Sequence, residues 1–385
     1  MRILVVSPIA SHPQNQGNSA RIFSMCKGLQ ALGHLVHYLY YPMEGLTPRQ
    51  REDMASCWDG FHSIPCNVQI PAPVAGAGYG IDDWYDPALG ACAAALHRQW
   101  QFDAVIVNYV WISGTLEALP ADLTKIIDTH DVFGDRHKTF ESVGLKPEWY
   151  YTTRAEELRA LRRADIVIAI QSLEAEHFRG MLGASATRVA TVGYGVPTHY
   201  LPHHHMTERP VVGYLGSGNP FNTLSIRQFV KELGSVPGLA ERFRFVLAGT
   251  ICGRFATAPG PFELLGSVDD LQDFYAGIDI ALNPMLGGTG LKIKTLEGLS
   301  FGLPVLGTAD AWVGISTPEE VWPTPAAPST IEALSALAAD PQLIAMLRKR
   351  CRTVYREYLA NQLQTISDLF TLECLSYRPR DRQLQ

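Results

Sequence analysis

Short runs of apolar residues alternate with amphipathic stretches through the first half of the chain. The runs have the length of buried strands in a parallel sheet, and the amphipathic stretches repeat their apolar positions at helical spacing. One such apolar stripe ends near Gly33, as a helix would. The pattern predicts strands over residues 2–7, 35–41, 104–108, 125–128 and 166–170, and helices over residues 18–32, 148–164 and 173–181. Such alternation is typical of an α/β fold with helices on both faces of a mainly parallel sheet.

The same pattern starts again after a polar segment. Residues 197–210 are rich in proline and histidine and predict a linker. Beyond them the pattern predicts strands over residues 211–215, 244–248, 278–283 and 304–307, and helices over residues 224–233 and 291–300. We therefore expect an N-terminal domain over residues 1–200 and a C-terminal domain over residues 201–355. Each would be a Rossmann-like βα unit that opens with a strand and a glycine-containing turn.

Two stretches stand outside this alternation. Residues 67–85 are rich in proline, glycine and aromatic residues and have no period, which predicts an inserted loop. Residues 347–358 are expected to form a helix that carries five basic side chains. That helix either presents a solvated face or touches an anionic acceptor or a membrane surface.

Composition and charge argue against several classes of protein. Hydrophobic residues make up 46% of the 385 residues and charged residues 18%, so the chain can bury a large core and is not disordered. The net charge of −6 argues against a general nucleic-acid binder, which needs a concentrated positive field. No apolar run approaches the roughly 20 residues that a membrane-spanning helix requires. The seven cysteines include no Cys-x-x-Cys pair, which fits a reducing cytoplasm and neither a disulfide framework nor a zinc site.

The candidate chemistry is concentrated in residues 283–308. A predicted strand ends at Asn283, a glycine-rich turn follows over residues 287–290, and a helix is expected to start there. Glycines let a backbone approach a ligand closely, and the free N–H groups of a helix start attract phosphate. Lys292 and Lys294 lie in that first turn, where a cation opposes the helix dipole. Either the two lysines extend to solvent or they neutralise a bound anion, and a diphosphate would fit the second interpretation.

Glu297 follows on the same predicted helix among apolar neighbours. A carboxylate has two acceptor oxygens and suits the two adjacent hydroxyls of a ribose; the alternative is an exposed helix glutamate. Diphosphate and ribose together indicate a nucleotide. In open α/β sheets ligands bind beyond the carboxyl ends of the strands, where this turn is expected to lie.

Residues 283–308 resemble the donor-binding signature of GT-B glycosyltransferases, specifically the retaining family 4 type (glycosyl transferases group 1). That signature has two glutamates separated by seven residues, followed by Gly-x-Pro-Val. Glu297, Gly302 and the pair Pro304-Val305 match its second half. Thr289 stands where the first glutamate, which helps to hold the donor sugar, is usual.

Three other segments resemble features of the same family. Residues 16–21 follow the first strand like the glycine loop that approaches the donor diphosphate and the acceptor. Residues 127–136 resemble a segment whose histidine lies near the donor sugar, and residues 216–220 resemble the first nucleotide-side loop of the C-domain. The family often supplies an arginine and a lysine to the phosphates from that last region. Arg227 is the nearby base here and its spacing differs, so one of the two lysines described above is expected to take over.

The resemblance implies a role for individual residues. The candidate catalytic residues are His130, Asp131 and Lys294. The candidate acceptor-side residues are Asn18, Arg21 and Trp84. The candidate donor-binding residues are Gly17, Gly216, Ser217, Gly218, Gly288, Thr289, Gly290, Leu291, Lys292, Ile293 and Glu297.

The resemblance also implies an architecture and a reaction. Two Rossmann-like domains would face a central cleft, and a C-terminal helix and tail, residues 356–385, would pack back toward the N-domain. The implied reaction moves a hexose from a nucleotide-diphosphate sugar to an acceptor, with retained configuration, in glycan or glycoconjugate synthesis. Helix N-termini and basic side chains would stabilise the leaving diphosphate, so neither a metal nor another cofactor is expected.

The expected partners are a nucleotide sugar and a carbohydrate, lipid-linked or protein acceptor, and not a nucleic acid. The chain is expected in the cytoplasm as a monomer or dimer, and peripheral contact with the inner membrane face stays open. Because Thr289 replaces a glutamate, a second interpretation is a catalytically weak GT-B subunit that binds or activates a partner transferase. A third is a sugar-nucleotide epimerase, which would act without an acceptor.

Overall fold

A computed structural model describes residues 1–14, 16–142, 144, 146–147, 149–201, 208–268, 270–287, 290–315, 318–322 and 329–371. The described chain divides into two compact units. The first unit comprises residues 1–195 and 362–371, and the second comprises residues 196–361. The limits expected from the sequence, after residues 200 and 355, lie a few residues from these divisions. Residues 202–207 of the predicted linker lie outside the described residues.

The first unit is built on a parallel sheet. Its strands are β1 (Arg2–Ser7), β2 (Leu35–Tyr40), β3 (Gly60–Ser63), β4 (Ala104–Asn108), β5 (Thr124–Asp128), β6 (Ile166–Ala169) and β7 (Arg188–Thr191). Its helices are α1 (Gly17–Ala31), α2 (Pro48–Cys57), α3 (Pro87–Trp100), α4 (Arg136–Ser142), α5 (Arg154–Leu161) and α6 (Ser172–Leu182), with a 3₁₀ segment at Val110–Ala118. The strands are all paired in parallel in the order β3-β2-β1-β4-β5-β6-β7.

The core of this unit explains why the central strands are unbroken apolar runs. Residues 3–6 of β1 and 104–107 of β4 are at most 2% exposed, because both faces of a parallel sheet are covered. Three residues at or just after the end of the last described helix, Ile366, Leu369 and Phe370, belong to the same core. The resemblance implied that a helix and tail over residues 356–385 pack back toward the N-domain; these three residues do so, and residues 372–385 lie outside the described residues.

The second unit repeats the arrangement on a smaller sheet. Its strands are β8 (Val211–Leu215), β9 (Arg244–Ala248), β10 (Phe262–Gly266), β11 (Ile280–Asn283) and β12 (Val305–Gly307), paired in parallel in the order β10-β9-β8-β11-β12. Its helices are α7 (Pro220–Leu233), α8 (Leu271–Ala276), α9 (Ile293–Ser300), α10 (Ala309–Trp312), α11 (Pro318–Val321), α12 (Thr330–Ala339) and the first part of α13 (Gln342–Leu369), with 3₁₀ segments at Ala240–Arg242 and Thr250–Arg254. The predicted restart of the βα pattern is therefore confirmed.

The helix predicted over residues 148–164 is wrong in its first half. The observed helix α5 begins only at Arg154, where the side chain of Thr153 caps it by accepting a hydrogen bond from the N–H of Glu156 (3.2 Å). Tyr150 is fully buried and its ring stacks on that of Tyr79 at a centroid distance of 5.6 Å. Aromatic packing therefore overrides a helical pattern in the sequence.

The basic stretch within α13 is partly structural. Arg348 is buried beside Asp279, with 3.7 Å between Nη2 and Oδ1. Arg352 donates to the carbonyl of Leu201 (2.9 Å) and lies over the ring of Tyr200. These two arginines pack within the second unit, while Lys349 and Arg356 are exposed. Within the described chain, no helix has both the length and the apolar character needed to cross a membrane.

Candidate functional site

Three neighbouring strands of the second unit, β9, β8 and β11, end at the same edge of the sheet. The residues that directly follow β8 are Gly216, Ser217 and Gly218, called here the 216–218 turn. Helix α7 begins just after this turn, and the side chain of Asn219 caps it by accepting a hydrogen bond from the N–H of Asn222 (2.8 Å). The N-terminal end of α7, which is the positive end of its helix dipole, therefore lies at this edge.

Lys294 lies beside the 216–218 turn. Its Nζ donates to Oδ1 of Asn222 (3.2 Å) and lies 5.6 Å from the centre of the Tyr214 ring. Asn222 in turn donates from Nδ2 to the carbonyl of Ser217 (2.8 Å). A Cβ at Gly216 would lie 2.6 Å from the Tyr214 ring and 3.0 Å from Cε of Lys294, so only glycine fits between them. The turn and the lysine are thus held together through one amide side chain.

The charge of Lys294 is only weakly compensated. Burial lowers the pKa of Lys294 to about 8, the attraction of Glu297 opposes this shift, and the charge of Lys292 adds to it. An anion placed beside this ammonium group would raise the pKa again and would itself be stabilised. The group is therefore suited to bind phosphate.

The glycine-rich turn before α9 lies at the same edge. Gly287 and Gly290 have φ values of +64° and +76°, a left-handed conformation that favours glycine. Helix α9 begins at Ile293, two residues later than predicted, with the buried Lys292 at its N-cap and the buried Leu291 before it. Gly288 and Thr289, two of the predicted donor-binding residues, lie outside the described residues.

Glu297 is oriented by a buried tyrosine. The hydroxyl of Tyr275 donates to Oε2 of Glu297 (3.0 Å), and the Tyr275 ring stacks on Phe301 at a centroid distance of 4.6 Å. Burial raises the pKa of Glu297, while the Tyr275 hydrogen bond and the charge of Lys294 oppose that shift. The carboxyl group is thus held in one orientation, as recognition of a pair of hydroxyls requires.

In the first unit, the loop after β1 leads directly into α1. Gly17 is the first residue of α1 and is partly exposed. Asn18 accepts a hydrogen bond at Oδ1 from the N–H of Ser19 (2.8 Å), and its side chain also hydrogen-bonds to Tyr109. Gly17 and Asn18, a predicted donor-binding and a predicted acceptor-side residue, therefore lie at the start of the helix that follows the first strand.

His130 follows β5 in a left-handed conformation, with φ of +63°. Its Nε2 is 2.9 Å from Oδ1 of Asn108, whose own Nδ2 donates to the carbonyl of Val6 (3.1 Å). The amide oxygen thus accepts from Nε2–H, and the imidazole ring stacks on Tyr109 at 4.2 Å. Burial lowers the pKa of His130 to about 3, with Asp128 opposing the shift, so the ring is neutral near pH 7.

Arg21 and Trp84, both predicted on the acceptor side, are buried. Arg21 forms an ion pair with Asp128 in which each side chain is 1% exposed, and its Nη2 donates to the carbonyl of Val192 (2.9 Å). Trp84 is 8% exposed and packs edge-to-face against Trp111. Neither side chain presents a surface to an acceptor in this structure. Their burial favours structural roles, because a buried charge pair and an aromatic core both hold the surrounding elements.

A buried carboxyl group anchors the loop that follows His130. Glu157 on α5 accepts hydrogen bonds from the N–H groups of Phe133 (2.8 Å) and Gly134 (3.0 Å). A Cβ at Gly134 would lie 2.6 Å from Oε2 of Glu157, so the close approach requires glycine. Burial raises the pKa of Glu157 to about 7 against these two hydrogen bonds. Asp131, in the same loop, forms an ion pair with a neighbouring arginine at 3.3 Å.

Two family models match the chain. The model described as a glycosyl transferase 4-like domain matches residues 16–195, and the model described as glycosyl transferases group 1 matches residues 209–338. The chain belongs to the GT-B glycosyltransferases of the family 4 type.

Solved structures resemble this glycosyltransferase over nearly its whole length. Sucrose-phosphate synthase from Thermosynechococcus elongatus aligns with a TM-score of 0.65 at 14% identity, over 96% of this chain and 98% of that one. HepE from Anabaena, solved with UDP, gives 0.63 at 12% identity over 96% and 99% of the two chains. A glycosyltransferase from Rickettsia africae gives 0.64 at 13% identity over 98% and 99%. At these identities the likeness shows the fold alone, and no curated protein matches this glycosyltransferase in sequence.

Three residues around these sites were missed in the sequence. Asn108 is a polar residue at the carboxyl end of a buried strand, and that position was a usable signal. Tyr275 and Glu157 carry no such signal, because only the fold brings them to Glu297 and to the His130 loop.

The metal-free chemistry implied by the resemblance stays a prediction. In the described ranges, no group of three or more His, Cys, Asp or Glu residues could hold a metal ion.

The neutral state of His130 predicts how stability depends on pH. The folded protein keeps His130 neutral down to about pH 3, whereas an unfolded histidine takes up a proton near its ordinary pKa of about 6.5. The stability linked to this residue is therefore present above about pH 6.5 and is lost as the pH falls below it, by about 2 kcal/mol between pH 7.5 and 5. Urea unfolding of wild type and of His130→Gln at pH 7.5 and pH 5 tests this. From the higher to the lower pH, the free energy of unfolding should fall by about 2 kcal/mol less in the variant than in wild type. Equal losses in both proteins would show that the histidine is not held neutral.

Proposed function

We propose that this glycosyltransferase moves a hexose from a nucleotide-diphosphate sugar to an acceptor hydroxyl with retention of the anomeric configuration. The observation that carries the proposal is the position of Lys294 beside the 216–218 turn, together with the charges of Lys292 and Glu297 that act on it. Two cations at helix starts suit a diphosphate, and an oriented carboxyl group suits a ribose. The similar structures support a nucleotide-sugar donor: HepE from Anabaena was solved with UDP-glucose, and the pneumococcal O-GlcNAc transferase with UDP and GlcNAc.

The proposed step breaks the bond between the sugar C1 and the diphosphate oxygen while the acceptor oxygen bonds to C1 from the same face. The acceptor proton passes to the departing phosphate oxygen, so the protein supplies no covalent nucleophile. Negative charge grows on the diphosphate as the bond breaks. Lys294 and the positive ends of the helix dipoles of α7 and α9 would stabilise that charge, which is the main demand of the reaction.

On the first unit, we assign Asn18, His130 and Asp131 to the acceptor and donor-sugar side. His130 is neutral near pH 7, so it would act as a hydrogen-bonding and packing group and not as a charged acid. Asp131 is partly exposed and can accept hydrogen bonds from sugar hydroxyls. Metal independence, hexose specificity, the class of acceptor and a cytoplasmic location are parts of this proposal.

Glu297→Ala is expected to weaken UDP binding about ten- to hundredfold. The substitution removes charge-assisted hydrogen bonds to the ribose, which are worth about 1.5–3 kcal/mol. Isothermal titration calorimetry with UDP and with GDP measures this loss of affinity, and it also shows which of the two bases the wild-type protein binds more tightly. Glu263→Ala is the matched control, because Glu263 lies exposed on β10 and pairs only with the nearby Arg244 (2.7 Å) among the residues described. If Glu297→Ala binds as tightly as wild type, the ribose assignment is wrong.

Turnover tests the reaction itself. A panel of UDP-, GDP- and ADP-sugars should include one donor from which nucleotide is released in the presence of glycan acceptors, and NMR of the product should show the donor's anomeric configuration. An inverted product would contradict retention. Nucleotide binding without turnover on any donor would favour the binding subunit, and an isomerised sugar nucleotide formed without acceptor would favour the epimerase.

A further inference from the structure

An arginine outside the recognised motifs reaches the 216–218 turn from the neighbouring strand. Arg254 ends the 3₁₀ segment that follows β9, and its side chain is exposed. Its Nε donates to the carbonyl of Gly218 (2.5 Å). The N–H of the same glycine donates to Oγ1 of Thr250 (3.1 Å). Both polar groups of the Gly218 backbone are therefore tied to this segment.

Two glycines permit this close approach. A Cβ at Gly218 would lie 2.9 Å from Nε of Arg254, so a larger residue would displace the guanidinium group. Gly249 has a φ of +93°, and a Cβ there would collide with the carbonyl of Gly216. The carbonyl of Gly216 also accepts a hydrogen bond from the N–H of Ile251 (3.1 Å). The backbone thus holds Arg254 over the turn and does not leave it as a free surface side chain.

The strand order places cations on both sides of the turn. Because β8 lies between β9 and β11, Arg254 approaches the turn from one side and Lys294 from the other. Arg254 enters no ion pair with a carboxylate within the part of the chain that the structure describes. Its described hydrogen bond uses Nε, which leaves the two Nη groups of the planar fork for a ligand. That fork matches two oxygens of a phosphate.

We propose that Arg254 binds the diphosphate of the donor together with Lys294. This inference rests on the proposed function. It adds a phosphate-binding arginine from the 3₁₀ segment after β9, and not from helix α7 after β8. Arg227, the base expected near the turn from the sequence, instead lies over the ring of Phe255, with 5.8 Å from its guanidinium carbon to the ring centre. It provides a matched control in the same unit.

The test is the binding of UDP and of uridine, measured by NMR titration so that weak affinities are accessible. Arg254→Gln can still donate to the carbonyl of Gly218 but lacks the charge and the fork, and Arg254→Ala lacks both. Each variant should bind UDP about ten- to hundredfold more weakly than wild type. Uridine, which has no phosphate, should bind the variants and wild type within about twofold. Arg227→Ala should match wild type for both ligands.

The outcomes separate this inference from the proposed function. If wild type binds neither UDP nor GDP, the proposed function itself fails. If wild type binds UDP and Arg254→Gln binds it equally well, the inference about Arg254 is overturned. If the variants lose uridine affinity to the same extent as UDP affinity, Arg254 supports the fold of the turn and does not bind phosphate. The Gln variant keeps the test decisive should Arg254→Ala be poorly folded.

Discussion

Replacing Lys294 with methionine is expected to lower kcat for sugar transfer by about 10²–10³-fold. Removing one preorganised group that stabilises developing negative charge has an effect of this size in other enzymes. Lys294 is held beside the 216–218 turn through Asn222, so its ammonium group needs little rearrangement as the diphosphate departs. Methionine keeps most of the length and packing of the side chain and removes the charge together with the hydrogen bond to Asn222.

The measurement compares kcat and KM for the best donor in wild type and Lys294→Met. Lys231→Met, at an exposed position on α7, is the matched control and should match wild type. The pH profile adds a second readout. Because the pKa of Lys294 is about 8 in the free protein, UDP affinity should fall as the pH rises above 8. In Lys294→Arg this fall should disappear, since arginine stays charged. A Lys294→Met enzyme with the kcat of wild type would show that the lysine does not act on the leaving group.

The largest effect on stability is expected from Asp128→Ala. The substitution leaves the Arg21 guanidinium group buried without its ionic partner, and removing one member of a buried pair typically lowers the free energy of unfolding by about 3–5 kcal/mol. His130 lies 3.7 Å from the same carboxylate, so its surroundings also change. The double substitution Arg21→Met with Asp128→Leu should recover much of the loss, because an apolar pair of similar volume avoids the burial of charge.

Urea unfolding of the single and double variants measures these effects. Lys138→Ala breaks the exposed ion pair with Asp135 (2.9 Å) and should change stability little, because solvent screens such pairs. If Asp128→Ala loses no more stability than Lys138→Ala, the buried pair does not hold the first unit together. If the double variant is no more stable than Asp128→Ala, then the loss comes from a source other than the unpaired arginine.

The alternation of strands and helices could be predicted because buried parallel strands are continuous apolar runs. Residues 3–6 and 104–107 show this directly, and the same signal marked the other buried strands. The more exposed strands β3, β7 and β10 were not predicted, because they lack such an apolar run. The predicted helix over residues 148–164 was too long because its polarity and lack of glycine do not show that Tyr150 packs into an aromatic core. Local pattern predicts an element well where burial and periodicity agree, and poorly where distant residues decide the conformation.

The candidate site was predictable to a similar degree. Lys294, Glu297 and the 216–218 turn could be grouped from the sequence, because residues that follow parallel strands meet at one edge of the sheet. Arg21 could not be placed, because its partner Asp128 is distant in sequence and its burial depends on tertiary packing. Arg254 was not anticipated for a related reason. Its position depends on the close approach of two backbones at Gly249, which no spacing in the sequence reveals.

The first unit is not a continuous stretch of chain, and this affects how it can form during synthesis. The side chain of Ile366 packs against Gly28, and its Cδ1 lies 3.6 Å from where a Cβ on this glycine would be. The side chain of Gln362 accepts a hydrogen bond from the N–H of Gly193 (2.5 Å). A ribosome produces these C-terminal residues only after the whole second unit has been made. Part of the core around the N-terminal sheet therefore stays uncovered until the end of α13 has been synthesised. A chain that stops after residue 361 would keep the second unit intact while exposing apolar surface on the first, which favours aggregation.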